Sequence, residues 1–220
     1  SVEKLDNGGY KLYVHIADVA HYVKEDHAID KEARRRGTST YLVNKVIPML
    51  PEALSNGLCS LNPNEDKLTL TAEIELNTAG HIKTTKVFET VTSSNYRMTY
   101  KEVDQILGST PVSKTTEKIE KLVVWNKLMF GWDISKELVE MLENSEKLRG
   151  IIAIYKKELW VLDFNFPESK IEVDDNWNPV AFTQYTRYNS NKIIEEFMVV
   201  ANEAVSKKYQ NLPFLYRIHP

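Results

Sequence analysis

The stretch Tyr10-Lys11-Leu12-Tyr13-Val14-His15-Ile16-Ala17, preceded by Asn7-Gly8-Gly9, decides the fold class. It is rich in β-branched and aromatic residues, and the Asn-Gly-Gly turn signal makes it the second strand of a hairpin. The first strand then falls at or before residues 1–5. Residues 68–76 alternate apolar and polar positions, 78–80 turn, and 82–91 alternate again, which predicts an antiparallel pair joining the same sheet. Val46-Ile47-Pro48-Met49-Leu50-Pro51 cannot be a central strand, because each proline removes a ladder donor; it is expected to run extended with its side chains buried.

Helices flank this sheet. Residues 26–36 read as helical, with Asp30 early and Gly37 as the stop. Thr99 and Glu102 have capping-box spacing and open a short helix with Val103, Ile106 and Leu107 on its inner face. Residues 115–148 show two helical patterns separated by Gly131. Residues 151–166 read as strand ended by Pro167, 170–173 as extended, and 174–179 as a turn. From 191 to about 207 a last helix presents Ile193, Ile194, Phe197, Met198, Ala201, Ala204 and Val205 on one broad side. Valines sit in both neighbouring stripes, Glu195/Val199/Asn202 and Glu196/Val200/Glu203, so this helix is expected to be covered on most sides; the alternative is a rim with fully wet glutamates. The fold class is α+β, a mixed and mostly antiparallel sheet packed with helices.

Composition narrows the function. The chain has 220 residues, 42% hydrophobic and 27% charged, enough to fill a core and too apolar for disorder. One cysteine excludes an internal disulfide framework and a thiolate metal site, and fits a reducing, cytoplasmic compartment. No run of about 18 apolar residues occurs and the first ten residues lack the pattern of a signal peptide, so no membrane partner is expected. The net charge of −3 excludes a global basic field, so any nucleic-acid contact is local. Arg34, Arg35 and Arg36 are available to touch phosphates, with a charged helix end as the preferred reading.

Two strings carry a resemblance. Residues 13–20, Tyr-Val-His-Ile-Ala-Asp-Val-Ala, and residues 36–63, running through Arg36-Gly37-Thr38-Ser39-Thr40-Tyr41 and the 46–51 segment to Asn62-Pro63, strongly resemble the RNB catalytic domain of the ribonuclease II and ribonuclease R family. Tyr96 to Tyr100, residues 162–168, Ile194 to Met198, Ala201-Asn202 and residues 213–219 fall in the family's order. The resemblance covers nearly the whole chain, residues 1–220 reading as a partial RNB domain truncated at both ends, and is weakest over 108–159.

That resemblance implies a 3′-to-5′ exoribonuclease that hydrolyses single-stranded RNA, not DNA, to nucleoside 5′-monophosphates with Mg²⁺, inside a longer protein with flanking oligonucleotide-binding domains. Such chemistry needs hard cations on carboxylates to neutralise the phosphodiester and activate water. In the family the aspartate cluster lies just before the segment aligned with Ser1, and an arginine motif lies beyond Pro220. This 220-residue piece alone is therefore expected to be inactive, with no catalytic residue and no metal ligand of its own. Asp174 and Asp175 read as turn residues. Asp18 is a neighbour of the missing cluster or, equally, a structural hydrogen-bonding aspartate.

What the resemblance leaves to this chain is substrate holding. Tyr41 and Phe164 match the two halves of an aromatic clamp that stacks on bases near the RNA 3′ end, with a plain core aromatic as the alternative for each. Stacking contributes roughly 1–3 kcal/mol per base without reading sequence. Tyr100 and Glu196 match a pair that reads the ribose 2′-hydroxyl, with Glu195 as the lesser candidate. The family's Ser-His-Arg before this helix is replaced by Asn189-Ser190-Asn191-Lys192, which puts a local polar contact in question. The alternatives are a catalytically inactive RNB-like protein that binds RNA, or a structural adaptor.

Overall fold

The computed structural model describes residues 1–43, 45–108, 134–158, 169–174, 178–213 and 216. Its centre is a four-stranded antiparallel sheet in the order β1 (Val2–Lys4), β2 (Tyr10–Ala17), β5 (Asp66–Leu76), β6 (Ile82–Ser93). The opening hairpin forms as its turn chemistry predicts, in register Val2↔Leu12. Gly9 is required there: a Cβ on it would lie 2.5 Å from the Leu76 carbonyl oxygen, inside contact distance of the neighbouring strand.

Alternation sets the layers. Val2, Leu12, Ala72, Ile74 and Leu76 point to one face and are buried against two long helices. These are α4 (Lys136–Glu158), which contributes Leu148 and Ile152, and α5 (Asn189–Lys208), which contributes Ile193, Phe197, Val200, Ala201 and Ala204. Each fully buried Leu or Ile contributes roughly 1.5–3 kcal/mol. A second cluster joins Ile106 of α3 (Tyr100–Gly108) to Leu138, Val139 and Leu142 of α4. The Thr99 cap is formed: Thr99 Oγ1 accepts from the Glu102 amide at 3.3 Å, and Glu102 Oε2 accepts from the Thr99 amide at 2.6 Å.

The smaller pieces lie outside this body. Asp18 opens α1 (Val19–Tyr22), α2 is Ala28–Arg36, and a π-helical turn spans Ala53–Leu58. Two separate two-stranded ribbons are β3 (Thr40–Tyr41) with β4 (Val46–Ile47), and β7 (Ser169–Val173) with β8 (Pro179–Gln184).

Three expectations are overturned. Val46 and Ile47 are exposed at 47% and 44%, because they pair with Tyr41 and Thr40 in a ribbon outside the core and are not packed beneath one. Residues 151–158 are not strand: α4 continues through Gly150, since Leu148 and Ile152 lie a helical turn apart on the sheet and the β5–β6 tip closes on Ile151 and Tyr155. Packing wins there over the β-preference of an Ile-Ile-Ala-Ile run. Helix α5 is not covered on most sides: Ile194, Met198 and Val199 are exposed. Residues 109–133, and with them the first of the two helices expected in 115–148, lie outside the described residues.

Candidate nucleic-acid groove

A groove of about 900 Å³ opens between the edge of β2, the end of β6, α3 and the first turns of α5. Tyr13, His15, Thr92, Tyr100, Ile194 and Met198 are on its walls, with Cys59 and Lys67 at one end. The exposed Ile194 and Met198 of α5 thus form part of a groove wall, which the sequence pattern could not tell from a buried face.

Tyr100 stands at the start of α3, 39% exposed. The fold fixes it against α5. Ser190 Oγ donates to the Tyr100 carbonyl at 2.7 Å, and Asp104 accepts from the Ser190 and Asn189 amides at 2.9 and 3.2 Å, satisfying donors at the start of α5 that no helical carbonyl can reach. Asn191 Oδ1 accepts from the Tyr188 amide at 2.9 Å. In Asn189-Ser190-Asn191-Lys192, Ser190 and Asn191 thus make capping contacts at the start of α5. Asp104 carried no sequence signal beyond its place on a capped helix.

The two glutamates part company. Glu196 forms an ion pair with Lys156 of α4 at 2.5 Å, and Glu195 one with Arg187 just before α5. Neither is among the residues that wall the groove. Helical spacing puts Glu195 beside Met198 and turns Glu196 toward α4.

Tyr41 is 77% exposed on the β3–β4 ribbon, so it is not a core aromatic. That ribbon is tethered: Arg36 Nη1 donates to the Pro48 carbonyl at 2.7 Å, and Ser39 Oγ accepts from the Met49 amide at 2.9 Å. Phe164, the other half of the expected clamp, lies outside the described residues, as does Asp175. The arginine cluster is paired locally, Arg34 with Asp30 at 2.9 Å and Glu25 at 3.3 Å, and Arg35 and Arg36 sharing Glu32 at 2.8 Å each. The Arg35 and Arg36 hydrogen bonds lower the Glu32 carboxyl to about 2.

Asp18 is an N-cap, its Oδ1 accepting from the His21 amide at 3.1 Å while its own amide donates to the Leu68 carbonyl. Burial pushes the Cys59 thiol up, with the Asp18 charge adding to it. Asp174 Oδ1 accepts from the Asn178 amide at 2.8 Å, a turn contact. Among the described residues no three His, Cys, Asp or Glu side chains converge on a metal-sized site, and no helix is long and apolar enough to cross a membrane.

The groove can therefore hold an extended polar chain against aromatic and aliphatic walls. The RNB domain family model matches residues 1–220. Ribonuclease R of Thermotoga maritima is 42% identical over 221 residues, 100% of this chain and 29% of that protein. The structure of Mycoplasma genitalium RNase R in complex with ribose methylated single-stranded RNA superposes with a TM-score of 0.83 at 32% identity, covering 100% of this chain and 31% of that one. Yeast Ssd1, described as a pseudonuclease, shares the fold with a TM-score of 0.64 at 20% identity, covering 98% of this chain and 24% of that one. The chain thus spans under a third of the length of each of these proteins.

Proposed function

The chain belongs to the RNB domain family, and from that premise we propose that it is the substrate-holding part of a 3′-to-5′ exoribonuclease acting on single-stranded RNA. The observation that carries this reading is Tyr41: its ring is 77% exposed on a ribbon held by Arg36 and Ser39, which supports a role in stacking on a base. In this reading Phe164 is the opposing ring. Tyr100, locked to α5, faces the ribose with a carboxylate of α5, Glu196 in the first place and Glu195 as the lesser candidate. DNA is rejected because it lacks the hydroxyl such a pair would meet.

Hydrolysis itself is assigned to Mg²⁺, which neutralises the phosphodiester and acidifies the attacking water when bound. In this reading the chain's own residues bind and orient RNA, and the metal ligands belong to other parts of the whole protein. Flanking oligonucleotide-binding domains and a cytoplasmic location complete the reading; the single cysteine supports the latter. The second reading is an inactive RNB-like RNA binder.

One assay separates these. The whole protein is incubated with labelled single-stranded RNA and Mg²⁺, and products are resolved by size. Progressive release of nucleoside 5′-monophosphates is the expected result. RNA binding without release leaves only the second reading, and no binding overturns both. The 220-residue chain by itself is expected to release none.

A further inference from the structure

Tyr100 reaches the groove from a lightly held element. Within α3 the buried residue is Ile106, in the second half of the helix, while Tyr100 at its start is 39% exposed on the groove wall. Among the described residues the Tyr100 hydroxyl has no hydrogen-bond partner, so the place of the ring follows from its backbone and packing. Two devices hold that backbone. The Thr99–Glu102 capping box is local: it shapes the first turn of α3 without tying it to another element. The second is a latch to α5. Ser190, 2% exposed, donates its hydroxyl to the Tyr100 carbonyl at 2.7 Å and its amide to Asp104 Oδ1 at 2.9 Å, and Asp104 Oδ2 accepts from the Asn189 amide at 3.2 Å.

Tyr100 and Asp104 stand at i and i+4, so they lie on one face of α3 and grip Ser190 together. A side chain that accepts the first amides of a helix ordinarily comes from that helix's own cap position. Here it comes from another helix, so capping α5 and docking the start of α3 are one contact. The hydroxyl-to-carbonyl bond is made at residue 100 itself, which fixes the point from which the ring projects. Hydrogen bonds weaken steeply as they lose alignment, and a phenol that reads a single sugar hydroxyl has to be held to within about 0.5 Å. Stacking and apolar contact with a strand tolerate far more displacement, because any part of a base face will do.

We infer that Ser190 and Asp104 are positioning residues for Tyr100: their latch sets the preference of the groove for ribose over deoxyribose and leaves its general hold on a strand untouched. This rests on the functional reading above, in which Tyr100 meets the ribose 2′-hydroxyl. The whole protein, without divalent cations, is titrated by fluorescence anisotropy with a labelled single-stranded RNA and with the 2′-deoxy strand of the same base sequence; the preference is the ratio of the two Kd values. Ser190→Ala is expected to weaken RNA binding about fivefold, the effect of misaligning one hydrogen bond, and to leave binding of the deoxy strand as it was. Asp104→Ala is expected to do the same and takes the place of Ser190→Ala should that variant not fold. Asp104→Asn, which retains an acceptor for the Ser190 amide, restores the preference. In a Tyr100→Phe background the preference is already lowered, and Ser190→Ala lowers it no further. A merely structural role would weaken both strands alike and would add to Tyr100→Phe. Either of those results, or an unchanged preference in folded Ser190→Ala or Asp104→Ala protein, overturns the inference and leaves the functional reading in place. An unmutated protein that holds both strands equally, or a Tyr100→Phe variant with the full preference, overturns the reading of Tyr100 and this inference with it.

Discussion

Tyr41 can be removed without opening the core, because its ring is 77% exposed and its ribbon is held by Arg36 and Ser39. Tyr41→Ala is expected to leave folding stability within about 0.5 kcal/mol of the parent in denaturant melts. It is expected to cost roughly 1–3 kcal/mol of affinity for single-stranded RNA, about five- to 150-fold in Kd. A core aromatic would do the reverse, losing about 3–5 kcal/mol of stability. Glu32 gives the residue-scale pH dependence. Its folded pKa of about 2 lies below the ordinary 4.5, so its contribution is complete above about 4.5 and is lost as pH falls through about 2. A carboxyl ¹³C titration with a midpoint near 4.5 would show the Arg35 and Arg36 bonds to be absent in solution. The outward face of Tyr41 was half legible from Gly37, Thr38 and Ser39 beside it. The separation of Glu195 from Glu196 was not, because their partners Arg187 and Lys156 come from two different places in the chain.

Helix α4 shows how an element is misread and how the error can be tested. In a strand, residues 152 and 154 share a face; in a helix they lie about 200° apart. Ile152 is 1% exposed and Ile154 63%. Ile152→Ala is therefore expected to cost about 2–5 kcal/mol in a chemical denaturation curve, and Ile154→Ala under about 0.5; equal losses at both sites would restore the strand. The antiparallel hairpins were legible because turn residues and alternation lie next to each other in sequence. The end of α4 was not, because its helical state depends on the sheet beneath Ile152 and on the β5–β6 tip at Gly80, some 70 residues away. The junction of α3 with α5 is non-local in the same way. Asp104→Ala removes the acceptor for two amides at the start of α5 and is expected to cost about 1 kcal/mol, with faster hydrogen exchange at the Asn189 and Ser190 amides. Unchanged exchange there would mean that α5 caps itself and that Tyr100 is not held by this contact.

For the molecule as a whole, charge and shape together decide how RNA is held. The net charge is −3, and among the described residues several cations are already engaged: Arg34 with Asp30, Arg35 and Arg36 with Glu32, Lys67 with Glu65, Lys86 with Glu73, Arg149 with Glu146, and Lys156 with Glu196. On the proposed reading, an RNA strand is expected to meet few free cations at these positions, with its affinity coming from the exposed ring of Tyr41, from Tyr100 and from hydrogen bonds to sugars. Salt dependence measures that balance directly. On a single strand, log K falls with log salt by about 0.7 per phosphate neutralised, so six to ten contacts would give a slope of roughly 4 to 7. For this 220-residue chain the expected slope is below about 2, measured by fluorescence anisotropy between about 50 and 200 mM salt. A slope of 4 or more would mean that the ion pairs open to meet phosphate, and Arg34, Arg35 and Arg36 would then be the first residues to substitute. A shallow slope that Tyr41→Ala leaves shallow while affinity drops would locate the grip in stacking, with the long-range attraction left to the rest of the protein.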